Sequence, residues 1–273
     1  TIQGAINASS HGDVIAIAAG TYYESNLNPG GKAITIGSAS GNLDVTIDAN
    51  GDGSVFVFDS GEGDDTVIKD LVITGGTGTD WGWAIVGGGI YCDQSSPTFT
   101  GCTISNNTAV NYGGGILCHD NSNPTLIDCT IENNTADWGG GIYCGSSSSN
   151  SNPTLTNCTF TNNIANSGGG GIFCYDGSDP TITGCTIEGN TASSLGGGIY
   201  SYNNSPTISD CTISGNLGWQ GGGLYASAGD PNITNCTFTS NTATDNGGGI
   251  RLTRSNAVVS ECTFSENSAP GGG

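Results

Sequence analysis

The sequence predicts an all-β fold in which short parallel strands stack as the coils of one solenoid. Two observations carry this. A glycine triplet followed by an apolar residue recurs at a near-constant interval, and the segments between triplets have strand and corner chemistry with no helical period. The apolar marks are Ile90, Ile116, Ile142, Ile172, Ile199, Leu224 and Ile250, spaced 26, 26, 30, 27, 25 and 26 residues apart. Such a unit is too short to bury a face alone. Copies must therefore stack, each strand pairing with its equivalent in the next coil at about 4.8 Å.

Within a unit, stretches such as GIYC, PTLT and CTFT alternate apolar with polar residues and are bounded by Gly, Asn, Ser and Pro, which is strand chemistry. Ile142, Leu155, Cys158 and Phe160 are expected to face inward, Thr159 and Thr161 outward. An asparagine recurs three residues after the Ile or Phe of each Cys-Thr-Ile/Phe segment: Asn107, Asn134, Asn163, Asn190, Asn216, Asn241 and Asn267. At a bend, each amide can donate to one neighbouring copy and accept from the other, satisfying groups that would otherwise be buried unpaired. The glycines suit a tight corner where backbones approach closely.

Residues 1–87 lack the triplet and are expected to form an N-terminal cap with irregular coils, and residues 88–273 the regular coils of the same continuous solenoid. Strand candidates in the first part are DVIAIA, AITIGS, VTIDA, VFVFD and VIKDLVIT. TIQGAINAS fits a short amphipathic helix that places Ile2, Ala5 and Ile6 over the first coil. The expected total is about 10–11 coils, a rod on the order of 50 Å long.

The opening TIQGAINASSHGDVIAIAAGTYYE resembles the capping segment of secreted right-handed parallel β-helix repeat proteins with the pectin-lyase-like fold. GGGI followed by FTNN (160–163), FTSN (238–241) and FSEN (264–267) resembles the GGAI/FxxN repeat of chlamydial polymorphic outer-membrane proteins, with Gly for Ala in every triplet and Ile for Phe in four coils. The resemblance implies a right-handed coil. It implies no single activity, because the fold hosts lyases, hydrolases, adhesins and passive rods.

Charge narrows the partners. Four basic residues, Lys32, Lys69, Arg251 and Arg254, face 24 acidic ones for a formal charge of -20. Polyanions are repelled, which argues against nucleic acid and anionic membrane. No stretch has the apolar length that spans a bilayer, and a secretion signal is expected to be absent or already removed. The eleven cysteines form two rows: Cys92, Cys118, Cys144, Cys174, and Cys102, Cys129, Cys158, Cys185, Cys211, Cys236, Cys262. Ser201, Ala226 and Leu252 replace the first row while the second continues, so the second does not depend on the first, and buried free thiols are expected. No CxxC or Cys/His grouping marks a metal site. His119 reads as an isolated loop histidine.

Three candidate sites emerge. One residue after each mark stands Tyr91, Leu117, Tyr143, Phe173, Tyr200, Tyr225 or Arg251, an expected outward stripe able to stack on sugar rings or on another subunit. DANGDG (48–53) offers Asp48, Asn50 and Asp52 at the alternating positions of a calcium loop, although the following SVFVFD reads as strand, so a simple turn competes with Ca²⁺ binding. For an enzyme of the resembling class, Arg251 and Arg254 lack a partnered carboxylate pair. Asp64 and Asp65 are distant in sequence, and Glu132 and Glu188 lie two coils apart without a basic neighbour.

The leading expectation is a non-catalytic structural solenoid, extracellular or at the cell surface, that self-associates head-to-tail or laterally into filaments. The ending APGGG, with no capping segment, is expected to mean either a truncated chain or an end covered by another subunit, and the second alternative motivates the self-association. The alternatives are a carbohydrate-binding or adhesive module using the aromatic stripe, and a polysaccharide lyase or hydrolase. No cofactor is expected beyond the Ca²⁺ alternative.

Overall fold

Three strands make each regular coil of the structure, a computed structural model that describes residues 1–146 and 149–273. Equivalent strands pair in parallel into two ten-stranded sheets and one eight-stranded sheet, a right-handed stack of about nine full turns. One coil shows the plan. Thr154–Thr156, Thr159–Thr161 and Ile172–Tyr175 belong to the three sheets in turn. Register is strict: Leu126 pairs with Leu155 and Ile182, and Ile131 with Phe160 and Ile187. Like residues thus stack on like, and the axial core is a column of fully buried Ile, Leu, Phe and Cys.

The bends hold together through the asparagines. Asn163 Nδ2 donates to Ile131 O (2.9 Å) and Asn190 Oδ1 (3.0 Å), while its own Oδ1 accepts from Asn134 N (3.0 Å) and Nδ2 (3.1 Å). Every polar atom of a buried amide is thereby engaged, which low dielectric makes mandatory. At the glycine corner the backbone ladder continues unbroken, Gly139, Gly140 and Gly141 donating to Gly168, Gly169 and Gly170. Gly139 has φ +66, and a Cβ on Gly140 or Gly141 would lie 2.5 Å from the carbonyl oxygen of Ile164 or Gly171. Those neighbours are backbone and cannot move aside, so Ala is excluded where a looser corner would accept it.

At the N-terminus, Ile2–Ala8 forms the helix, with Ile2 and Ile6 buried over the first coil. Thr1 caps it, and the Glu24 carboxylate accepts from Ile2 N (2.6 Å) and Gln3 N (3.0 Å). All five early strand candidates contain strands, among them Val14–Ile17, Thr35–Ser38 and Val45–Asp48. Phe56–Phe58 pairs in register with Ile90–Cys92, so the irregular and regular parts share one stack. Two features had no counterpart in the sequence reading. Thr79–Asp80 and Ile85–Val86 form an antiparallel pair, and Thr135–Trp138, Ile164–Gly168, Thr191–Ala192, Leu217–Gln220 and Thr242–Asn246 form a fourth, five-stranded sheet on the side of the solenoid.

Candidate functional site

The expected exposed stripe is corrected by that fourth sheet. Tyr91, Leu117, Tyr143, Phe173, Tyr200 and Tyr225 point away from the axial core but are at most 8% exposed. Between the asparagine bend and the glycine triplet the chain makes an extra excursion, and the residue just before the triplet folds back over the stripe. Successive coils place Val86, Tyr112, Trp138, Gly168 and Leu195 in one paired row there. Stripe and cover form a second apolar layer, separate from the axial core. Arg251 continues the stripe in register after Tyr225, half-buried, in the strand that ends its sheet.

The cover does not close completely, and an aromatic cleft of about 490 Å³ remains. Its floor is Leu117, Tyr143, Phe173 and Tyr200; Trp83, Tyr112 and Trp138 line one side, Gly145, Ser146, Tyr175 and Tyr202 the other, and Trp81 and His119 are in contact with each other at one end. Because His119, Gly145, Tyr175 and Tyr202 come from successive coils, the cleft runs parallel to the solenoid axis over at least three coil spacings, about 14 Å. Two glycines shape it. Gly168 has no side chain where a Cβ would meet Tyr200 Cδ1 at 2.8 Å and Trp138 at 3.1 Å, so the Trp138 indole leans across to stack on Phe173 (5.2 Å, 29°). Gly145 leaves a notch between His119 and Tyr175. On the open rim, Tyr175 and Tyr202 lie parallel at 5.8 Å, Tyr202 being 40% exposed and Trp83 opposite 72% exposed.

His119 is not isolated. Register sets it beside Asp93, and its Nδ1 lies 3.2 Å from Asp93 Oδ1 and 3.9 Å from Asp120 Oδ1, while its ring meets Trp81 edge-on at 4.7 Å. The three side chains offer one imidazole and two carboxylate ligand atoms within 4.8 Å of one another, the grouping among the described residues able to approach a metal ion. Asp120 Oδ1 also accepts from Ser146 Oγ (2.5 Å) and Ser149 Oγ (2.8 Å). The phenols of the floor are held neutral. Burial, reinforced by neighbouring phenols, pushes Tyr200 up to about 12 and Tyr143 higher still. Burial followed by the Asp93 charge raises Tyr91.

The other sequence candidates lie elsewhere. Asp48 Oδ1 accepts from the Asn50 backbone N–H at 2.7 Å, Asn50 has φ +53, and Asp52 accepts from Ser25 at 3.3 Å. The first bond is that of an Asx turn, and the second ties the loop to the preceding coil. Glu132 and Glu188 stand in one row with Thr161 between them. Asn107, Asn134, Asn163, Asn190, Asn216 and Asn241 are buried bend residues, and Asn267 is half-buried. The cysteines are free thiols, all buried except the half-buried Cys262, and thiols such as Cys158 donate to carbonyls of their own coil and of its neighbour. Tyr112 and the Asp93–His119 pairing are the site features that sequence reasoning missed. The available signals were a bulky residue directly before the glycine triplet, and the common offset of Asp93 and His119 three residues after their marks.

Comparison with known proteins places the fold. The family described as the right-handed beta helix region matches residues 18–165 and 162–273. No curated protein matches the sequence at a significant level. Among solved structures, ORF18 of Geobacillus virus E2 is similar with 14% identity and a TM-score of 0.51, over 98% of this chain and 58% of that one. An alginate lyase from Paenibacillus sp. str. FPU-7 is similar with 14% identity and a TM-score of 0.49, over 98% and 95%. A PL6 alginate lyase in complex with a trisaccharide is similar with 13% identity and a TM-score of 0.45, over 90% of this chain and 56% of that one. This chain thus spans less than three fifths of the first and third of these structures, and such likeness speaks to fold alone.

Proposed function

The chain belongs to the right-handed β-helix family, and from that premise we propose that it is a glycan-binding solenoid module of the extracellular space or cell surface. The aromatic cleft is the observation that carries this reading. Ring faces carry partial negative charge, and the C–H face of a pyranose presents partial positive charge, so sugars stack on Trp and Tyr as aromatic edges do. Phenol and imidazole groups at the same surface supply oriented hydrogen bonds, and about 490 Å³ lies within the range of small-ligand sites. Elongation along the axis suits a linear oligosaccharide better than a single sugar. Catalysis has weaker support, because Arg251 and Arg254 lie in the last coils, away from the cleft lining.

Calorimetric titration of the purified chain with a panel of linear hexasaccharides tests the reading. Binding should weaken roughly five- to tenfold in Trp138→Ala and in Tyr202→Ala, the loss of one stacking partner being worth about 1–1.5 kcal/mol. Binding that both variants keep within twofold would refute the assignment to this cleft. Self-association, the leading expectation from sequence, remains a proposal for the rod as scaffold, and electron microscopy over a range of concentrations tests it.

A further inference from the structure

Resting on the glycan-binding reading, we infer that the cleft's ligand is a glycan without acidic groups, and that chains of uronic acids or sulfated sugars are rejected. The lining holds no lysine or arginine, and His119 is its one side chain able to become cationic. That histidine is already matched by carboxylates at 3.2 and 3.9 Å, so even when protonated it leaves the Asp93–His119–Asp120 group with a net negative charge. None of the four basic residues lines the cleft: Lys32 Nζ bonds to Ile6 O at the N-terminal helix, Lys69 packs over Gly37, Arg251 continues the stripe two coils beyond Tyr200, and Arg254 follows it in the last coils. A site that reads uronate carboxylates needs cationic donors aimed at them, since an anion entering unpaired loses its hydration without compensation. Here the same anion finds no cationic partner in the lining and two carboxylates, Asp93 and Asp120, directly behind His119 and Ser146, under an overall charge of -20.

The experiment compares hexamers of equal length on the intact chain: neutral gluco-, xylo- and manno-oligosaccharides against oligomannuronate and oligogalacturonate. We expect at least one neutral series to bind and both uronate series to bind at least about tenfold more weakly at low salt. The gap should narrow as ionic strength rises, because the screening length falls from about 30 Å at 0.01 M to about 8 Å at 0.15 M. Asp93→Asn should shift the uronate-to-neutral affinity ratio several-fold toward the uronates. Uronate hexamers binding as tightly as, or more tightly than, every neutral series would overturn the charge inference while leaving the glycan reading intact. No binding by either class would overturn the glycan reading itself.

Discussion

Replacing Asn163 by alanine tests the physical basis of the repeat most sharply. Its side chain takes part in four hydrogen bonds, two donated by Nδ2 to Ile131 O and Asn190 Oδ1 and two accepted by Oδ1 from Asn134 N and Nδ2. At about 0.5–1.5 kcal/mol net each, their loss amounts to about 2–6 kcal/mol. Asn163 is fully buried, so the Asn134 N–H and Ile131 carbonyl are left without water as well as without a partner, which places the expected cost in the upper half of that range. Against the stability of about 5–15 kcal/mol typical of domains, this is severe. Asn267→Ala is the internal control. It also loses bonds to Asn241 and Phe238, but its position is half-buried and water can substitute, so about 1–2 kcal/mol is expected. Urea unfolding followed by far-ultraviolet circular dichroism measures both. Equal losses at the two positions, or a loss below about 1 kcal/mol at Asn163, would refute the reasoning.

Three further outcomes follow from the same structure. Gly141→Ala sets a methyl 2.5 Å from Gly171 O and should cost at least about 2–3 kcal/mol, read as a lowered urea midpoint; a neutral effect would mean that the corner can relax. Native protein treated with iodoacetamide should be modified at Cys262 at most, since the other ten thiols are buried, and mass spectrometry showing rapid labelling of the Cys92–Cys174 row would contradict the packing. Tyr200 holds its proton to about 12 in the folded chain against 10.0 for a free phenol, so above pH 10 the unfolded state binds fewer protons than the folded one. Stability must fall as pH rises between these values, and Tyr200→Phe should flatten the decline; a midpoint unchanged across that window would contradict the burial of this ring.

The solenoid was legible in the sequence because its constraints repeat with every coil. An asparagine that bonds to its own copies, and glycines that touch the backbone of the next coil, must recur at the coil length, so spacing alone revealed them. The stripe at Tyr143 and Phe173 was legible as a row pointing off the axis, but its burial was not. The covering segments, TADW, IANSG, TASSL and LGWQ, share a small buried residue at their second position but no common residue before the triplet, since a lateral sheet with one face on the stripe tolerates Trp138, Gly168 and Leu195 alike. The cleft depends on that irregularity: Gly168 lets Trp138 lean, and Gly145 opens the notch. His119 appeared alone because its partner Asp93 lies a full repeat earlier, and only strand register joins them. Regular positions declare the fold, whereas the candidate site is built where neighbouring coils differ.

A crystal structure of the chain saturated with a neutral linear hexasaccharide tests the central claim most directly. Pyranose rings are expected between Trp138 and the Tyr175–Tyr202 pair, with the sugar chain following the solenoid axis. Sugar bound on another face, with the cleft free of it, would contradict the account.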